Sequence, residues 1–144
     1  MHPQLAKARF LQYRQTGLCF TAYPALNTPT GFIFYLRRLD AATPSASIRV
    51  KVDRADLGDL LLARSRPCQF ADATGKMSFK QEPEGNGILV VASDVQGEKH
   101  MFRLNYGQSE NLLAFVETDL RRIFGWEKQP DRTGVDGESA SLYV

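Results

Sequence analysis

A chain of 144 residues that is 43% apolar and 24% charged has the length and balance of one globular domain able to bury a sizeable core. No apolar run approaches the roughly 20 residues that cross a bilayer, the N-terminus lacks the order of a secretory signal, and two isolated cysteines speak against a disulfide framework or a zinc site. The expectation is a soluble protein in which Cys19 and Cys68 serve as small buried hydrophobes. Net charge is +2, but its placement is uneven: Lys7, Arg9, Arg14, Arg37 and Arg38 all precede the first acidic residue, Asp40. Residues 1–39 therefore carry +5 and the rest −3, a distribution that suits either a polyanion partner or an ordinary uneven surface.

In chain order, Lys7–Arg14, Leu18–Leu26, Gly31–Leu39 and Ser47–Val52 read as four strands, rich in aromatic and branched residues and separated by turn signals such as Pro29 and Pro44. The period then changes within SIRVKVDRADLGDLLL, Ser47 to Leu62. Ile48, Val50 and Val52 alternate in twos, whereas Leu57, Leu60 and Leu61 follow in threes and fours. Asp53 stands at the junction as a helix N-cap, Asp56 adds negative charge near the helix start, and the helix is predicted to run to about Ser65, before Pro67. Pro67–Asp72, Lys76–Gln81, Ile88–Ala92 and Lys99–Tyr106 read as four more strands. Ser109 is the predicted cap of a second helix carrying Leu112, Leu113, Val116, Leu120, Ile123 and Phe124, which stops at Gly125 with Trp126 folding back.

The chain thus reads as four strands and a helix, twice: an α+β domain spanning residues 1–127. Residues 128–144, with scattered Pro, Gly and polar residues, are expected to form a disordered tail.

Chemistry that would need catalytic side chains leaves no trace. The two histidines, His2 and His100, have no Cys, Ser or carboxylate pattern beside them that would build a nucleophile–base pair. No phosphate loop, dinucleotide fingerprint, HExxH or GxSxG occurs. The sequence implies no enzyme, no metal, no cofactor and no small-molecule substrate.

Alternation sorts the cations. In the third and fourth strands Tyr35 and Arg37 oppose Phe34 and Leu36, and Arg49 and Lys51 oppose Ile48, Val50 and Val52. In the first, Lys7, Arg9, Leu11 and Tyr13 share a side; in the second half Lys76, Ser78 and Lys80 oppose Met77 and Phe79, with Lys99 and Arg103 near Met101. A sheet face of cations and rings is what single-stranded nucleic acid requires: charge to track phosphates and rings to stack bases, at roughly 1–3 kcal/mol per base. The same residues also suit simple cross-strand packing.

The layout resembles the Whirly family of single-stranded DNA-binding proteins, whose fold is shared by the trypanosomatid mitochondrial guide-RNA-binding proteins. The resemblance covers about Lys7 to Trp126. SIRVKVDRADLGDLLL is similar to the family's strand followed by a leucine-rich helix, and SRPCQFAD to its Ser-x-x-Cys-Glu-Phe stretch. GKMSFKQEP resembles its Gly-Lys strand ending in Glu-Pro, and LRRIFGW its closing helix. Against the family's DNA-contacting Lys-Gly-Lys-Ala-Ala-Leu-Ser, LAKARFLQ keeps Lys7 followed by Ala8 and lacks the Lys-Gly pair.

The resemblance implies a homotetramer with its helices at the centre, and an organellar or bacterial-cytoplasmic setting. The expected function is single-stranded DNA or RNA binding with little sequence preference, in transcription, replication and repair or RNA processing. Lys7, Arg9, Tyr13, Tyr35, Arg37, Arg49, Lys51, Lys76 and Lys80 are the candidate contacts. The alternative is a protein-interaction or assembly subunit that keeps the fold without the binding.

Overall fold

Period-two stretches bounded by turn residues become strands because that spacing puts every apolar side chain on one face. The computed structural model describes residues 10–15, 17–25, 31–39 and 47–124. The strands are β1 (Leu11–Gln15), β2 (Leu18–Pro24), β3 (Gly31–Arg38), β4 (Ser47–Asp53), β5 (Cys68–Asp72), β6 (Gly75–Gln81), β7 (Ile88–Asp94) and β8 (Lys99–Leu104). They form two antiparallel four-stranded sheets in simple sequential order, β1-β2-β3-β4 and β5-β6-β7-β8, each followed by helix. The predicted duplicated architecture is therefore the observed one. The expected stop at Gly125 and Trp126 and the expected tail lie outside the described residues.

The sheets face each other across an aromatic core. Phe20 of the first sheet lies 6.3 Å from Phe79 and 5.8 Å from Phe102 of the second, and Phe34 lies 6.0 Å from Phe70 and 5.0 Å from Phe79. Each fully buried ring contributes about 2–3 kcal/mol of transfer free energy, and the edge-on and tilted geometries add to it.

Side chains, not further strands, tie the sheet edges together. The Gln15 side-chain amide donates to the Arg103 carbonyl and accepts from the Arg103 N–H, both at 2.8 Å, joining β1 to β8. At the other edge, the Lys51 N–H donates to Asp72 Oδ2 at 2.9 Å and the Thr74 hydroxyl donates to the Arg49 carbonyl, joining β4 to the β5–β6 turn. These bonds occupy the edge-facing main-chain groups of Arg103 on β8 and of Arg49 and Lys51 on β4.

Burial acts to raise the Asp72 pKa, but hydrogen bonds from the Lys51, Thr74 and Gly75 amides and the Thr74 hydroxyl outweigh it and hold the carboxyl below its usual 3.8. A depressed carboxyl contributes stability that is present above its ordinary pKa and is lost as pH falls through the folded value. Thermal melts between about pH 5 and pH 2 should show this loss below about pH 4, and Asp72→Asn should flatten it. An unchanged slope in the variant would separate Asp72 from acid stability.

Both helices differ in detail from the sequence reading. Asp53 is the N-cap as predicted, its carboxylate accepting from the Ala55 N–H at 2.9 Å. The α-helix α1 (Arg54–Leu57), however, tightens at Gly58 into a 3-10 turn over Gly58–Leu62 and does not continue as α-helix to Ser65. The reason is the buried stripe Arg54, Leu57, Leu60 and Ala63, spaced three apart. A helix of three residues per turn aligns these positions, whereas 3.6 would let them drift.

The second helix, α2 (Tyr106–Phe124), starts four residues earlier than expected. Its cap is Asn105, whose Oδ1 accepts from the Gln108 N–H at 2.8 Å while Gln108 Oε1 accepts from the Asn105 N–H at 3.1 Å, a reciprocal capping box. Ser109 is fully buried inside the helix, and its hydroxyl accepts from the Ile88 N–H at 2.8 Å, which locks α2 to the start of β7. Gly87 precedes that contact because a Cβ there would stand 1.8 Å from the Leu104 carbonyl oxygen. Leu112, Phe115, Val116 and Leu120 then pack on the core, with Phe115 6.0 Å from Phe32.

Candidate nucleic-acid interface

Because the inner faces of the sheets meet, each outer face is left to the surroundings, and strand register decides which side chains share it. On the first sheet Gln12, Thr21, Tyr35 and Arg49 form one cross-strand row. Arg14, Cys19, Arg37 and Ser47 form the next row, and Tyr23, Ile33 and Lys51 a third. Arg14, Arg37, Arg49 and Lys51 are exposed, Tyr23 and Tyr35 are half-buried, and Cys19 and Ile33 form a low apolar floor between them. Strands spaced about 4.8 Å apart spread the cations over roughly 14 Å from β1 to β4. Arg49 Nε donates to the Tyr23 hydroxyl at 3.5 Å, so a guanidinium and a ring are already joined across the face. Among the described residues the acidic side chain in phase with this face is Asp53, at the far end of β4, where its carboxylate is occupied by the helix cap.

Tyr35, Arg37, Arg49 and Lys51 are thus brought together as the sequence reading expected. Tyr13 is not. It pairs with Phe20 on the inner side, packs against the core and accepts a hydrogen bond from Asn111 Nδ2 at 3.3 Å. Leu11 sets this phase: burying it turns Tyr13 inward and Gln12 and Arg14 outward. Lys7 and Arg9 lie outside the described residues.

Arg14 and Tyr23 are members of the face that the sequence reading missed. The alternation of Leu11 and Tyr13 with Gln12 and Arg14 would have found the first. The opposition of Phe20 and Ala22 to Cys19, Thr21 and Tyr23 would have found the second.

Lys76 and Lys80 belong to a different surface, the outer face of the second sheet. Lys76 shares a row with Ala71, Ser93 and Lys99, and Lys80 shares one with Leu89 and Arg103. Exposed Met101 stands between Lys99 and Arg103, while Glu82 Oε2 lies 3.5 Å from Arg103 Nε and partly neutralises that end. The two cationic faces point away from each other. At the β4–β5 corner Thr74 bonds to the Arg49 main chain and Lys76 follows two residues later.

Burial, reinforced by the negative charge of Asp59 and opposed by a hydrogen bond from the Phe79 backbone, pushes the Cys68 thiol up to about 11 and keeps it protonated. Among the described residues no three His, Cys, Asp or Glu side chains are grouped to hold a metal ion, and no helix is long and apolar enough to cross a membrane.

No protein-family model and no curated protein matches the chain. Among solved structures, the crystal structures of Trypanosoma brucei MRP1/MRP2 match 84% of this chain and 97% of theirs, with a TM-score of 0.55 and 13% sequence identity. At that identity the likeness is one of fold, and the protein is built on the Whirly-like plan of two four-stranded antiparallel sheets, each followed by a helix.

Proposed function

We propose that the protein binds single-stranded DNA or RNA, with little sequence preference, across the outer face of β1 to β4. The observation that carries this reading is the arrangement of that face: four exposed cations around two tyrosines, with no carboxylate in its interior among the described residues. Arginine and lysine take the phosphates, releasing counterions, while Tyr23 and Tyr35 offer rings to whichever bases lie over them. No catalytic residue, cofactor or metal enters. The roles such binding serves are strand protection, transcription, replication and repair, or RNA processing, with four copies assembled through the helices.

Fluorescence anisotropy with labelled single-stranded DNA, single-stranded RNA and duplex, across a salt series, tests the binding. Affinity for both single strands should exceed that for duplex and fall steeply with salt, and no binding at low salt would overturn the proposal. Light scattering on the same samples tests the assembly, which a mass near the 16.1 kDa of one chain would remove.

A further inference from the structure

We propose that the turn from Asp72 to Thr74 acts as a clamp that sets the height and direction of Arg49 and Lys51 on the nucleic-acid face. Asp72 and Thr74 are thus positioning residues for a surface they do not belong to. This inference rests on the binding reading above.

β4 is an edge strand, and among the described residues no strand pairs with its main chain on the side away from β3. On that side the Arg49 carbonyl is taken by the Thr74 hydroxyl and the Lys51 N–H by Asp72 Oδ2. These two groups flank Val50 and are the pair that a neighbouring parallel strand would bridge. The turn therefore replaces a fifth strand with two side chains, at the two residues whose side chains carry the positive charge.

Val50 between them is fully buried, which fixes the strand from the core side. The clamp is itself held, because Asp72 Oδ1 accepts from the Thr74 N–H at 2.8 Å and lies 2.9 Å from the Thr74 hydroxyl. Edge strands otherwise fray, and a frayed β4 would let both cations swing away from Tyr35 and Arg37.

Asp72 is an anion beside two cations. Acting through its charge alone, it would oppose a polyanion, and its removal would tighten binding. As a clamp, its removal weakens binding.

The experiment measures fluorescein-labelled oligothymidylate by anisotropy across a salt series. Asp72→Ala and Thr74→Val should each weaken binding about three- to tenfold, while Thr74→Ser, which keeps the hydroxyl, should bind as the unaltered protein does. With two phosphate contacts loosened at roughly 0.7 each, the salt slope in Asp72→Ala should fall by up to about 1.4. On an Arg49→Ala/Lys51→Ala background, Asp72→Ala should add nothing, since the groups it positions are gone.

Equal or tighter binding by Asp72→Ala overturns the clamp, as does a loss that is additive with the double replacement at an unchanged salt slope. Thr74→Val removes one hydroxyl and gives the same test if Asp72→Ala does not fold. Failure of the unaltered protein to bind overturns the proposed function and the clamp together. Binding that is indifferent to Asp72 and Thr74 overturns the clamp alone.

Discussion

Asp119→Ala should lower stability by about 3–5 kcal/mol. Asp119 lies on the inner side of α2 and Arg54 at the start of α1, and both side chains are at most 5% exposed. Arg54 Nε donates to Asp119 Oδ2, and Arg54 Nη2 donates to Oδ1 at 3.1 Å, a two-pronged pair between segments 65 residues apart. A guanidinium at a helix start is unfavourable for the helix dipole, so this residue is explained by its partner and not by the helix it begins.

Removing the carboxylate leaves a buried positive charge with nothing to offset its lost hydration, which is why the expected loss exceeds that of a typical surface pair. Replacing both partners, Arg54→Met with Asp119→Leu, should recover most of the stability, because packed apolar side chains of similar size do not need the pair. Chemical denaturation of the three proteins measures this. A loss under about 1 kcal/mol for Asp119→Ala would mean that water reaches the pair and satisfies it.

The second large effect concerns binding. Arg37→Glu and Arg49→Glu should each weaken single-stranded DNA and RNA binding about thirtyfold at low salt. An attraction of about 1 kcal/mol to a phosphate becomes a repulsion of similar size, and 1.4 kcal/mol is tenfold. Both residues are exposed on the same outer face, on β3 and β4, so reversal should leave the core untouched and the melting temperature close to that of the unaltered protein. The effect should be equal across base sequences and should shrink as salt rises.

Lys76→Glu on the opposite face is the control, with a smaller expected effect. Equal losses from Lys76→Glu and Arg49→Glu would place the nucleic acid around the β4–β5 corner and not along the first sheet alone.

Strand existence was legible because alternation is a local signal. Ile48, Val50 and Val52 alternate with Arg49 and Lys51 in the sequence, and the same residues alternate between buried and exposed in β4. The Asp53 cap was legible for the same reason, since a capping side chain reaches an amide two residues away.

Ser109 misled because a serine before an apolar run is a common cap. The adjacent Asn105 and Gln108 offered a reciprocal pair, and the Ser109 hydroxyl was then free to bond Ile88, which lies 21 residues earlier in the chain. Tyr13 misled because a short strand seen in isolation has two faces of similar character. The choice between them was made by Leu11 meeting the core.

What the sequence by itself determined is the order of the elements, the turn between period two and helical period at Asp53, and the pairing of Arg49 with Lys51 on one side of one strand. Each follows from side-chain direction within a few residues of backbone.

The tertiary structure alone decided how those pieces face one another. It divided the cations between two opposed surfaces and tied the edges through Gln15 to Arg103, 88 residues apart, and through Asp72 to Lys51. It also buried Arg54 against Asp119. These are contacts between groups that no local period relates, and they form because closing two sheets over one aromatic core brings the strand edges, with their unpaired main-chain groups, within reach of whichever side chains stand there.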